Sequence, residues 1–108
     1  MRVYRRLCGL GLLLALAAPL HAQASASLAA EMGCVNCHGQ PPRADAPSFA
    51  RLAQKYAKRR SDAGAEAHAV DELLRGEPWR RIPAHEHISP ATARRLVHWL
   101  FEGADGAP

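Results

Sequence analysis

The chain has 108 residues, and its 14 lysines and arginines against 10 aspartates and glutamates give a formal charge of +4. This length is enough for one small domain. Three of the basic residues, Arg2, Arg5 and Arg6, lie at the extreme N-terminus, and 14 − 3 = 11 basic against 10 acidic residues remain without them. The basic balance therefore gives no support to a nucleic-acid-binding protein.

The first 24 residues have the three parts of a secretory signal peptide. Arginines precede an apolar run from Leu7 to Leu20, and an Ala-x-Ala pattern ends at Ala24. We predict a signal peptide over residues 1–24, cut after Ala24 or alternatively after Ala22, and a mature domain over residues 25–108. The apolar run is shorter than the roughly 20 residues of a spanning helix, which predicts no permanent membrane span after cleavage.

The next predicted element is a helix from Ser27 to Val35, and it leads into Cys34-Val35-Asn36-Cys37-His38. Two cysteines separated by two residues can each form a thioether to a haem vinyl group, and the adjacent imidazole can bind the iron. A redox dithiol or half of a zinc site has similar spacing. However, neither a βαβ pattern nor a finger-type Cys-Cys-His-His spacing accompanies the motif. The motif predicts one haem c attached through Cys34 and Cys37, with His38 on the iron.

Helical periodicity predicts three further helices, and no stretch alternates as a strand does, so the chain is predicted to be all-α. A loop over residues 39–46 and another from Glu77 to Ile88 separate some of these helices. The predicted helices run from Pro47 to Lys58, from Ala63 to Arg75 with Asp62 as its cap, and from Pro90 to about Glu102 after the capping Ser89.

The order of these elements resembles the small single-haem class I cytochromes c of bacterial periplasms. The matching stretches are Leu28 to Gly39, Pro47-Ser48-Phe49, residues 63–67, Arg75-Gly76 followed by Trp79, and Ile88-Ser89 leading to residues 93–100. The resemblance implies a bundle of about four short helices around one covalent haem. It also implies a periplasmic one-electron carrier that is not an enzyme and that meets redox partner proteins.

The same resemblance assigns roles to three further parts of the chain. The backbone carbonyl of Pro47 is expected to accept a hydrogen bond from His38, and Trp79 is expected near a haem propionate. The first and last helices are expected to cross beside the haem.

The chain departs from this pattern at the second axial ligand, normally a methionine in the loop before the last helix. That loop contains no methionine, and Met32 lies too close to Cys34 to reach the opposite face of the ring. The sequence leaves three alternatives: His85, preferred because Pro83-Ala84 precedes it, His87, or neither, with five-coordinate or water-bound iron.

Two functions follow from these alternatives. With both axial positions filled, the protein is a one-electron carrier, and Arg80 and Arg81 are candidates for docking an acidic partner or pairing with propionates. With an open position, it is a haem protein that binds a small ligand such as CO, NO or peroxide. The first function is preferred.

Overall fold

The computed structural model describes residues 20–43, 45–76, 79 and 81–108, with backbone alone for residues 20–24. Within this part of the chain all regular structure is helical, which confirms the predicted all-α class. Four helices have nine or more residues, in agreement with the prediction, and two more are single turns. In chain order they are α1 (Leu20–Glu31), α2 (Val35–His38), α3 (Phe49–Ala57), α4 (Ala65–Arg75), α5 (Pro83–Glu86) and α6 (Pro90–Phe101).

Helix α6 is the centre of the fold, because α1, α3 and α4 all pack against it. Its residues Ala93, Leu96, Val97 and Leu100 recur every three or four positions, and all four are buried. Trp99 and Phe101 are buried too, so the last turn is apolar on more than one face. The contact between α1 and α6 is the one expected from the resemblance.

The start of α6 agrees with the prediction. The Ser89 hydroxyl accepts a hydrogen bond from the Thr92 backbone N–H at 3.1 Å, and Pro90 occupies the first helical position. Ser48 caps α3 in the same way, through the Arg51 N–H at 3.2 Å. Helix α3 therefore begins at Phe49, two residues later than predicted, and Pro47 precedes the cap.

The predicted helix from Ser27 to Val35 is wrong at both ends. Helix α1 begins at Leu20 and ends at Glu31, because Gly33 takes a left-handed conformation with φ of 75°. The Cys34 N–H then bonds back to the Ala29 carbonyl at 2.9 Å, closing the helix end. The chain restarts as α2, one turn that contains the second cysteine of the motif.

Two predictions between residues 62 and 88 are also wrong. Helix α4 begins at Ala65 behind a left-handed Gly64, and Asp62 supplies a backbone carbonyl to the Ala65 N–H in place of a side-chain cap. The region predicted as one loop contains α5, a turn too short to show helical periodicity.

Residues 1–19 of the predicted signal peptide lie outside the described residues, and the predicted cut after Ala24 falls within α1. Cleavage thus stays a prediction. Among the described helices, none is long and apolar enough to cross a membrane.

Candidate haem-binding site

The single turn of α2 gathers the motif's reactive side chains. Residues 34, 37 and 38 are three and four positions apart, a spacing that places side chains on neighbouring parts of one helix face. Cys34 is half-buried and Cys37 is exposed, and both thiols are free. Burial raises the pKa of the Cys34 thiol. Neither sulfur is in a disulfide, so both are available for thioether bonds.

Gly39 closes this turn, and its lack of a side chain matters. A Cβ built there would lie 2.6 Å from the Val35 carbonyl oxygen, a backbone atom that cannot move aside cheaply. Glycine thus allows the chain to leave α2 directly after His38.

The His38 ring is held from two sides. Its Nδ1 lies 2.6 Å from the Pro47 carbonyl oxygen, the hydrogen bond that the resemblance implies. A carbonyl only accepts, so the proton is on Nδ1, and Nε2 keeps a free lone pair for a metal. The Phe49 ring lies 5.8 Å from the His38 ring and packs edge-on against Trp99 at 5.3 Å. The imidazole is therefore oriented by the core around α6.

Helix α5 places His85 opposite His38. The centroids of the two imidazoles are 6.1 Å apart, and their planes differ by 15°. His85 is half-buried, and its pKa is lowered by burial and, to a smaller extent, by the charge of His38. A lowered pKa keeps the imidazole neutral, the form that binds metals.

The spacing of the two rings fits one metal ion between them. The rings are near-parallel with centroids 6.1 Å apart, a separation that offset-stacked rings also show. With metal–nitrogen bonds of about 2.0 Å, and about 1.1 Å from each nitrogen to its ring centroid, two imidazoles on opposite sides of one metal have centroids about 6.2 Å apart. Two free thiols and one imidazole with a free Nε2 are the donor set that covalent haem attachment uses, and a second imidazole lies 6.1 Å away.

The other candidate ligands lie apart from this arrangement. His87 is exposed, and Met32 is in the turn just before Cys34. His68 and His98 are exposed and pair with Glu72 at 3.2 Å and Glu66 at 3.3 Å. No group of three or more His, Cys, Asp or Glu side chains suited to a metal ion occurs among the described residues.

Trp79, Arg80 and Arg81 are residues of the loop before the last helix that are predicted to lie near the haem or to dock a partner. Trp79 is 81% exposed, and its predicted contact with a propionate stays a prediction. Arg80 lies outside the described residues. Arg81 donates two hydrogen bonds to the Glu86 carboxylate, at 2.8 and 3.0 Å, so it is not a free docking charge. This pair was not predicted from the sequence, because opposite charges five residues apart pair only when the backbone between them turns.

Comparison with known proteins supports the resemblance over most of the chain. The chain is 28% identical over 79 residues to cytochrome c-552 of Hydrogenobacter thermophilus, a match that covers 72% of this chain and 80% of that protein. It is similar to a c-type cytochrome. No protein-family model and no solved structure matches the chain. The similarity supports a c-type cytochrome, and it does not identify the axial ligands.

Proposed function

We propose that the protein is an exported periplasmic cytochrome with one haem c and that it carries single electrons between partner proteins. In this proposal Cys34 and Cys37 hold the haem covalently, and His38 and His85 are the two axial ligands. The observation that carries the proposal is the pair of near-parallel imidazoles 6.1 Å apart, beside two free thiols.

Each residue has a distinct task in this function. The bound haem supplies a ferric/ferrous couple, while the protein sets its ligands and surroundings. The Pro47 carbonyl fixes the His38 tautomer and increases the donor strength of its Nε2. Neutral His85 fills the position where methionine is usual, and imidazole in place of methionine lowers the reduction potential. With both positions filled, no site remains for substrate, so the protein is proposed not to be an enzyme.

Purified holoprotein, produced with its signal peptide in a bacterium that attaches haem c, provides the test. We expect low-spin optical spectra in both oxidation states and slow CO binding after reduction. His85→Ala opens the axial position, and we expect a high-spin spectrum and rapid CO binding. His87→Ala is the matched control, since His87 is exposed and two residues away.

Two results would contradict the proposal. If His85→Ala keeps the native spectrum, His85 is not a ligand. If the unaltered protein binds CO as fast as His85→Ala does, the iron is open and the small-ligand function applies.

A further inference from the structure

His85 is carried by a single turn of helix. Helix α5 has four residues, and its N-cap residue Ile82 makes no side-chain capping bond. Two backbone hydrogen bonds hold the turn, from the His85 and Glu86 N–H groups to the Ile82 carbonyl, at 2.9 and 3.3 Å. A helix this short does not persist alone in water, so the turn depends on contacts made by its neighbours.

Side chains at the two ends of α5 provide such a contact. Arg81 lies just before the N-cap, and Glu86 is the last helical residue. The Arg81 Nε and a terminal guanidinium nitrogen donate to the two Glu86 carboxylate oxygens at 2.8 and 3.0 Å. A two-point pair of this kind restrains direction as well as distance. It therefore fixes the ends of the turn relative to each other.

The rest of the segment is anchored by apolar contacts. Ile88 is buried in the core, Ile82 is half-buried, and α5 packs against α4. These contacts hold the segment against the protein. The Arg81–Glu86 pair is the polar contact that spans the turn with His85 inside it.

We infer that Arg81 and Glu86 are positioning residues for His85, because their ion pair closes the turn that presents the imidazole to His38. This inference rests on the proposed ligation by His85. Breaking the pair loosens the turn and increases the fraction of time that His85 is away from the iron. The Arg81 side chain is 85% exposed and that of Glu86 32%, so salt weakens the pair and its effect is modest.

The rate of CO binding to the reduced holoprotein measures this opening, because CO enters when His85 leaves. We expect Arg81→Ala and Glu86→Ala each to raise the rate about two- to fivefold, the range typical of exposed pairs. The double variant should be no faster than the single ones, since both remove the same interaction. Arg81→Lys keeps the charge but loses the two-point geometry, so its CO-binding rate should lie between those of the unaltered protein and Arg81→Ala.

Arg75→Ala is the matched control, because it breaks another exposed arginine–carboxylate pair, Arg75–Asp71 at 2.9 Å on α4. It should leave the CO rate unchanged. Raising the salt concentration should speed CO binding in the unaltered protein more than in Arg81→Ala.

The outcomes separate this inference from the proposed function. If His85→Ala speeds CO binding while Arg81→Ala and Glu86→Ala behave like Arg75→Ala, the positioning role is wrong and the ligation stands. Additive effects in the double variant also overturn the positioning role. If His85→Ala changes neither spectrum nor rate, the ligation fails and the positioning role fails with it.

Discussion

Tyr56 shows how one buried polar side chain is accommodated in this small core. Its ring stacks on Phe101 with centroids 4.8 Å apart, and the residue is 8% exposed. Burial raises the pKa of the phenol, and the nearby carboxylate of Glu72 raises it further, against a smaller lowering by Arg59. Tyr4 lies in the predicted signal peptide, so Tyr56 is the one tyrosine expected in the mature chain.

The raised pKa of Tyr56 predicts a loss of stability in alkali. Below the pKa of about 10 that the phenol has in the unfolded chain, its contribution to the free energy of unfolding is fully present. That contribution is lost as pH rises through the higher pKa of the folded protein. Tyr56→Phe cannot ionise, so we expect it to gain stability relative to the unaltered protein above about pH 10. Thermal unfolding followed by circular dichroism at pH 8 and pH 11 measures this. A difference between the two proteins that is the same at both pH values would contradict the prediction.

At the scale of elements, helix starts carry clear local signals in this chain. Ser89-Pro90 predicted the start of α6, because a hydroxyl that accepts the Thr92 N–H and a proline without a donor both suit a helix N-terminus. The break after Glu31 was not predicted, since alanine-rich sequence continues up to Gly33 and the conformation of one glycine decides it.

We predict that Ser89→Ala destabilises the protein by about 1 kcal/mol, the usual effect of losing an N-cap hydroxyl. The lost partner is the Thr92 backbone N–H, which then relies on water. Urea unfolding of the holoprotein gives the free energy. Ser61→Ala is the control, because Ser61 is exposed in the turn after α3 and caps no helix. Equal stability of the two variants would show that the cap contributes nothing.

At the scale of the whole molecule, the core is small and rich in alanine. Its buried alanines bring helices close together but remove little apolar surface from water, and the larger buried side chains gather around α6. A mature chain of 108 − 24 = 84 residues has little surface to bury in any case. Under the proposed function, binding of a large flat cofactor to the folded chain stabilises it further.

Removal of the attachment cysteines tests this dependence. We expect Cys34→Ser/Cys37→Ser to yield a colourless protein with less helix by circular dichroism and a broad thermal transition. Cys8→Ser is the control, because Cys8 belongs to the predicted signal peptide and should be absent from the mature protein. If the haem-free variant has full helix content and unfolds cooperatively, the protein core is sufficient for folding without haem.

The sequence predicted the helical class and the four longer helices because each depends on local residue order. Covalent haem attachment at Cys34 and Cys37 stays a prediction from the motif. It left the second axial position open between His85, His87 and neither, because the choice depends on how a loop packs across the molecule. The structure places His85 opposite His38 and leaves His87 exposed. Helix α5 and the Arg81–Glu86 pair escaped prediction for the same reason: four residues show no period, and an ion pair depends on side-chain geometry.

The anchoring of His38 has a consequence for the speed of electron exchange under the proposed function. Its ring is tied at the far nitrogen to the Pro47 carbonyl and rests against Phe49, which the core itself supports. A ligand held in this way moves little when the metal gains or loses charge. Small movement of the ligand means a low reorganisation energy for electron exchange, because little structural change accompanies the change of charge. Under the proposed function, the Pro47–His38 hydrogen bond therefore lowers the kinetic barrier to electron transfer as well as increasing the donor strength of the ligand.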